Sequence, residues 1–429
     1  MKQTIVIVGA GASGLAAAVM LARETVPNRQ IILLEKDGRV GRKILATGNG
    51  RCNITNRNVG AMHYYGDDVR MARGILQRFD VEQTLQFFES LGITCTETEN
   101  GRLYPRSFQA SAVLDTLREE CALLCVDVRV DVRVVKIEQK ENGYAIMEEG
   151  GDVIFADVVL MACGGKASPK LGSDGSGLAM METMGFACSP LYPAMVQICT
   201  ETAPIQSLKG IKFEGQASLW RENACIASES GEILFTEYGI SGLPTFQLSI
   251  HAGEYWRRNP KDALEIRLDF LPEMDEDVLM MQLMMRTSYL AQRDLQSYFS
   301  GLLNKRIGLV LLKAAHVLPL SRKIASIGEK EWKQLAKVCK AFPLAAKKNR
   351  PFDQAQVTAG GLCLKEFDAD LQSKRFAGLF ATGEILDVHG DCGGYNLQWA
   401  WSSAAAAVQG IVKYLRQQNK DKKTDKMGD

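Results

Sequence analysis

The sequence predicts an α/β protein built on a buried, parallel, nucleotide-binding sheet whose strands come from both ends of the chain. Three stretches carry this reading. Thr4–Val8 (TIVIV) is a β-branched run that enters Gly9-Ala10-Gly11-Ala12-Ser13-Gly14 and then LAAAVMLARE, which has helical apolar spacing. VVLMACGG at 158–165 is a second buried strand running into a glycine turn, and GLFATGEILD at 378–387 is a third, near the C-terminus.

Each element of the first stretch has a physical task. Gly9 allows the tight turn, Gly11 lets backbone approach a pyrophosphate, and Gly14 lets the helix pack on the strand. The helix opens at Ala12 and Ser13, where free N–H groups and the positive end of the dipole favour an anion. A second apolar run, Ile31–Leu34, ends in Glu35, 21 positions beyond Gly14 and followed by Lys36. That spacing suits an acid bound to ribose hydroxyls, and its charge would repel a 2′-phosphate, favouring FAD or NAD over NADP. The later stretches favour FAD. Beyond Gly383 and Glu384 stands Asp387, placed as the acid that flavoproteins of the glutathione-reductase type bring to the ribityl chain. Gly394, Tyr395, Asn396 and Leu397 then open a small-residue helix, LQWAWSSAAAAV, aimed at the flavin.

Composition sets the bounds. At 429 residues the chain exceeds one ordinary core, so two or three domains are expected. A net charge of +1 specifies no partner, and 46% hydrophobic with 24% charged residues is ordinary for a globular protein. Eleven scattered cysteines without a CxxC pair argue against a disulfide framework and a zinc site, and for reduced thiols in the cytoplasm. The apolar N-terminus resembles a short signal peptide, but three glycines at fixed spacing break it. No other run reaches the length of a membrane span, so neither a membrane nor a metal is expected as partner.

The residues beyond these motifs identify a family. GAGASG, GRKILATGNGRCNITN at 41–56, NGRLYPRSFQASAVLD at 100–115 and ACGGKASPKLGSDGSG at 162–177 resemble the BaiN/aminoacetone-oxidase-like FAD-dependent flavoproteins. So do LFTEYGISG at 234–242, VTAGG at 357–361 and ATGEILDVHGDCGGYNLQWAWSS at 381–403. The resemblance spans the chain from its first strand to its last helix. It implies a split Rossmann FAD-binding domain with an inserted β-barrel and a helical part. It extends the cofactor cradle to Val134, Ala162 and Gly164 and to the loop at 46–56. Arg42 and Lys43 before that loop and Arg51 in it would offset phosphate or reduced-flavin charge, and Asn49, Gly50 and Asn53 would approach the cofactor. Cys52 would pack beside the ring. Where the family often carries a histidine, this chain has Glu237; Cys163 replaces a threonine and Ala404 a glycine.

The resulting domain reading is 1–190 and 346–417 for the FAD-binding domain, 191–272 for the barrel, 273–345 for the helical part and 418–429 for a disordered tail. The barrel text is strand-like (MVQICT, GQASLW, CIASESGEILF, EIRLDF), and helical text follows Pro272. The methionine run at 280–285 reads as helix core.

GSDGSG at 172–177 has the wrong spacing for a second dinucleotide turn, so NADH or NADPH would act as a transient electron donor. Alternatively, substrate reduces the flavin and oxygen reoxidises it. His389 reads either as a proton donor or as a residue ordering its turn, and Cys163 and Cys392 as possible redox thiols. Residues 281–350 hold 14 Lys and Arg against three Asp and Glu, a local charge of +11, which either steers a polyanion such as RNA or forms a solvated face. The resemblance implies one of three activities on a small molecule or RNA: reducing C=C bonds in steroid-like acids, oxidising aminoacetone, or forming dihydrouridine in ribosomal RNA. Reduction of a conjugated C=C bond is the leading expectation.

Overall fold

The computed structural model describes residues 2–26 and 28–425, with side chains to Asn419. The chain divides into two compact units, Met1–Tyr192 with Gln356–Asp429, and Pro193–Ala355. Among the described residues no helix is long and apolar enough to cross a membrane.

The first unit is organised by five parallel strands in the order Leu379–Ala381, Val158–Met161, Gln3–Val8, Arg29–Leu34, Asp127–Arg129. Ile7 stands opposite Leu160 on one side and Leu33 on the other, and Met161 opposite Ala381. Ile5, Val6 and Ile7 have no exposed surface, as expected where helices cover both faces of a parallel sheet. One cover is the Ala12–Arg23 helix, which packs against the long final helix Tyr395–Asp425. Ala16, Ala17 and Ala18 lie wholly buried on the first helix, and Ala404 and Ala407 on the last, so small side chains let the two backbones approach.

The final helix also fastens distant loops. Trp399 donates its indole N–H to the Gly383 carbonyl and Trp401 to the Ile54 carbonyl, both at 3.0 Å. Thr55 Oγ1 donates to Gln398 Oε1 at 2.5 Å, while Gln398 Nε2 donates to the Phe79 carbonyl and to Thr84 Oγ1. Ser403 Oγ accepts from the Gly383 amide and the Thr382 hydroxyl, both at 2.9 Å.

The second unit holds a closed six-stranded barrel. Its strands are Ile198–Thr200, Lys212–Arg221, Ala224–Phe235, Gly239–Ser241, Leu264–Asp269 and Phe342–Asn349. Alternate residues point inward, as in Leu264, Ile266 and Leu268, so the period-2 text becomes one apolar lining. Helices Glu276–Leu290, Lys305–Ala314 and Glu329–Lys340 follow the fifth strand.

Four local expectations change. Leu243–Arg258, inside the stretch read as strands, is a helix that starts with Pro244 in its first turn, where the missing N–H costs nothing. Phe342–Asn349 is a barrel strand, so the inserted region runs past 345 to Ala355. The methionine run is core only in part: Leu283 is buried and Met280 packs against the core, while Met281, Met284 and Met285 are 57%, 41% and 67% exposed. The helix Glu276–Leu290 buries one narrow stripe, and Met281, Met284 and Met285 fall outside it. Finally, residues 418–425 continue the last helix instead of forming a disordered tail, in keeping with the helix-forming Lys and Gln there; 426–429 lie outside the described residues.

Two glycine substitutions should separate packing from chain entropy. A Cβ on Gly14 would fall 1.9 Å from the Gly9 carbonyl oxygen, so Gly14→Ala should lower apo-protein stability by about 3 kcal/mol. Gly74 lies exposed in the helix Val69–Arg78 with nothing near its missing Cβ, so Gly74→Ala should stabilise by about 0.5–1 kcal/mol. Urea unfolding midpoints measure both.

Candidate functional site

Gln3–Val8 is the point at which the chain leaves to opposite sides of the sheet, toward Arg29–Leu34 and toward Val158–Met161. Open α/β sheets leave a binding crevice at the carboxyl ends of strands there. The Gly9 turn sits at that end. Gly9 takes φ +107°, and a Cβ would meet the Ala162 carbonyl oxygen at 2.5 Å. Gly11 differs: its φ is −80° and nothing lies within 4 Å of a Cβ built there. The helix behind it has neither a side-chain cap nor an acid in its first turn, so no side chain caps the amides around Ala12 and Ser13. An anion is the natural complement of such an end.

Glu35 closes one wall. Its carboxylate accepts from the Ala10 and Asp37 amides, both at 3.1 Å, and burial pushes it above the usual carboxylate range. Three cations expected to serve the cofactor already have acidic partners. Lys36 pairs with Asp174, Arg42 with Asp37 at 2.8 Å, and Lys43 with Glu384 at 2.8 Å. Although burial opposes its charge, Asp174 is held well below the usual range by Lys36 and by Ser176. These pairs fix loops instead of leaving bare charge, and Arg51 differs from them. It donates to the Gly48 carbonyl and lies over the Tyr104 ring, 5.2 Å from its centroid.

The 46–53 loop is shaped by left-handed residues at Gly48, Asn49, Gly50 and Cys52. Asparagine tolerates that conformation; for Cys52 it is an unusual one, held by complete burial and a bond from its amide to the Thr47 carbonyl. Burial pushes the Cys52 thiol up to about 12, as it does the Cys163 thiol, which donates to the Val8 carbonyl at 3.2 Å. Burial also raises the Cys392 thiol. These are poor nucleophiles, so the redox-thiol reading loses its chemical basis.

Asn53 is the most informative residue of the loop. It is 7% exposed, and its Oδ1 is buried without a hydrogen-bond partner. A Cβ on Gly394 would lie 3.0 Å from that oxygen and 2.5 Å from the Thr55 carbonyl oxygen, so the loop and the start of the last helix are in close approach. A buried acceptor left unpaired costs about 1–3 kcal/mol, and a ligand donor would offset it. Asn396 instead clamps its own turn, with Oδ1 accepting from the Gly390 amide and Nδ2 donating to the Gly390 carbonyl, both at 2.9 Å. Tyr395 and Leu397 flank it at the helix start, Tyr395 buried and Leu397 half-buried.

The late acids separate into two environments. Asp387 is buried and accepts from Ser189 Oγ at 2.6 Å and the Asp67 amide at 3.2 Å. Glu384 is partly exposed, bonded to Lys43 and to the Thr358 amide, and follows Gly383, whose Cβ would meet Ser13 Oγ at 2.5 Å. Glu384 thus follows a glycine that lies against the first glycine turn, whereas Asp387 is held by Ser189 and the Asp67 amide. Thr358, invisible as a site residue in the sequence, accepts from the Lys166 and Ala167 amides and fixes the turn after Gly164. Ala162 donates to the Val8 carbonyl, and Val134 begins a peripheral strand with its side chain buried. His389 is buried, stacked on Tyr65 at 5.4 Å and edge-on to Tyr192 at 6.0 Å. Sequence reasoning missed the His63–Asp391 pair at 2.7 Å, because its members lie 328 positions apart.

The open helix end, the orphaned Asn53 oxygen and the close approach at Gly394 fit an extended dinucleotide cofactor such as FAD. Gly11→Val should leave apo-protein stability within about 1 kcal/mol, since the space is empty, yet lower FAD occupancy severely. Asn53→Ala should be near neutral for the apo-protein while weakening FAD at least about tenfold. Absorbance of the purified flavoprotein and apo-protein melting check both.

Residues 3–410 match the HI0933-like protein Rossmann domain family. A 3-dehydro-bile acid delta(4,6)-reductase of Clostridium scindens is 38% identical over 402 residues, covering 94% of this chain and 97% of the relative. A ribosomal RNA dihydrouridine synthase of Escherichia coli is 27% identical over 409 residues, covering 95% and 97%. Among solved structures, a 3-ketosteroid-delta4-(5alpha)-dehydrogenase of Rhodococcus jostii aligns with a TM-score of 0.44 at 15% identity, covering 95% of this chain and 97% of that one. The chain belongs to the HI0933-like Rossmann-domain family and is an FAD-dependent oxidoreductase.

Proposed function

We propose that this protein reduces a conjugated carbon–carbon double bond in a steroid-like acid, using electrons from NADH or NADPH. The observation that carries the reading is the nearly end-to-end 38% identity with a bile-acid reductase. The site geometry supports it. One cradle is built from the Gly9 turn, the 46–56 loop and the start of the last helix, and the sequence offers no second dinucleotide turn of the right spacing. The nicotinamide therefore acts as a transient donor. Bound FAD supplies hydride transfer; the chain's residues orient it and balance its charge. The scattered cysteines, none of them in a disulfide among the described residues, support a reducing, cytoplasmic setting.

A second reading rests on a separate observation. The 281–350 segment carries +11, and Lys305, Arg306, Lys313, Lys333 and Lys337 are exposed. Relatives at 27% and 28% identity are ribosomal RNA dihydrouridine synthases. An RNA substrate would use this basic surface for docking.

Anaerobic stopped-flow mixing distinguishes these readings. NADH or NADPH should bleach the flavin, and a 3-oxo-4-ene steroid acid should restore its colour without oxygen. Reoxidation by oxygen alone, with no bleaching by either nicotinamide, would instead identify an oxidase. If RNA is the substrate, affinity for ribosomal RNA fragments should fall at least about tenfold between 50 and 200 mM salt. Salt-independent binding would reduce the basic segment to a solvated face.

A further inference from the structure

Reduction of a conjugated double bond consumes a proton as well as a hydride, and the cradle residues described so far include no acid placed to give one. His389 is buried between aromatic rings. His63 stands differently. It ends the short helical turn Ala61–His63 and precedes Tyr64–Tyr65, which pairs antiparallel with His389–Gly390. That pairing brings Asp391 to the histidine. The Asp391 amide donates to the His63 carbonyl at 3.0 Å, and Asp391 Oδ2 lies 2.7 Å from His63 Nδ1. The second carboxylate oxygen accepts from the Tyr65 hydroxyl at 2.8 Å, so both oxygens of Asp391 are engaged. The imidazole lies stacked on Tyr395, with centroids 4.6 Å apart and planes 27° from parallel. Tyr395 is the first residue of the helix that follows Gly394, so the ring is seated on the element that forms the second half of the cradle.

A carboxylate at Nδ1 fixes the tautomer, keeping a proton on Nδ1 and directing Nε2 outward. The His63 side chain is 28% exposed, and among the described residues no hydrogen bond reaches Nε2. The titratable and charged groups around the ring are Asp391, Tyr65, Tyr395, Tyr64 behind Tyr395, Cys392, and Arg102, which acts on Tyr395 and Cys392. Burial raises the Tyr64 and Tyr395 phenols and the Cys392 thiol, which keeps all three neutral near pH 7. The imidazole is left as the group with a ring nitrogen open to a substrate.

We propose that His63 is the catalytic acid of the double-bond reduction and Asp391 its positioning residue; this rests on the reductase reading above. The balance is simple. The β-carbon of the conjugated bond gains a hydride equivalent whose electrons come from the reduced nicotinamide, itself oxidised. The π electrons move to the α-carbon, which takes the Nε2 proton of the imidazolium. Neutral His63, still bonded to Asp391 through Nδ1–H, regains a proton from solvent.

The test compares wild type, His63→Gln and Asp391→Asn, each normalised to bound FAD, after anaerobic photoreduction and mixing with a 3-oxo-4-ene steroid. His63→Gln should slow flavin reoxidation by about 10²- to 10⁴-fold. Asp391→Asn should slow it less, since the imidazole keeps its place but loses the carboxylate that orients it. An independent readout uses the apo-protein: imidazole ¹⁵N shifts should report Nδ1–H in wild type and lose that signature in Asp391→Asn. Reoxidation within about threefold of wild type for His63→Gln, or an Nε2–H tautomer in wild-type apo-protein, would overturn the assignment. A wild-type enzyme that bleaches with a nicotinamide but never reacts with the steroid would sink the reductase reading itself, and the acid role with it.

Discussion

The docking of one helix end holds the site together. Within six residues the final helix presents Gln398, Trp399, Trp401, Ser402 and Ser403, and their polar atoms reach the Ile54 and Phe79 carbonyls, Thr55, and the Gly383 turn. These partners come from both ends of the chain. The two tryptophans bury large apolar surfaces and give up no hydrogen bond in doing so, because each indole N–H meets a loop carbonyl. Buried side chains that satisfy backbone carbonyls do two things at once: they anchor loops and set the distance between them. Gly394 can therefore rest against the Thr55 carbonyl, and the 46–56 loop is closed against the helix start instead of moving freely.

Charge is arranged with the same economy. Lys36, Arg42 and Lys43 look like a cationic cradle in the sequence, but each is bound to a carboxylate. Partly exposed pairs contribute little stability individually. Their value here is positional: Lys43–Glu384 joins segments 341 residues apart, and Asp37–Arg42 braces the turn after Glu35. Favourable potential for an anion then comes mainly from backbone, through the uncapped end of the Ala12–Arg23 helix. Arg51, held over Tyr104, is a cation of the 46–56 loop without a carboxylate partner in the ion pairs above.

Much of the parallel sheet was legible in the sequence because its constraints are local. Gly14 must be glycine to clear a carbonyl oxygen, and TIVIV must be apolar because both faces are covered. The barrel strands within 191–272 showed themselves as strand-like text, whereas Phe342–Asn349, beyond the helices, did not. What failed to show depended on partners distant in sequence. Nothing near Asp387 or Glu384 reveals that Ser189 and the Asp67 amide claim one while Lys43 claims the other. Leu243–Arg258 sits among strand-forming text, and only the Gly242–Pro244 start hints at a helix. The Met281–Met285 stretch is hydrophobic by composition, yet the helix spends its narrow buried stripe on Leu279 and Leu283. His63 and Asp391 are individually unremarkable; the strand pairing of Tyr64–Tyr65 with His389–Gly390 makes them neighbours.

The central claim is that the glycine turn, the 46–56 loop and the start of the last helix form a single cofactor cradle. Hydrogen–deuterium exchange of the protein with and without FAD tests it most directly. Protection should appear together in peptides covering 9–15, 46–56 and 390–398 when FAD binds, because one ligand spans surfaces already tied by Gln398 and Trp401. Protection confined to 9–15, with 46–56 exchanging as fast as in the apo-protein, would contradict it.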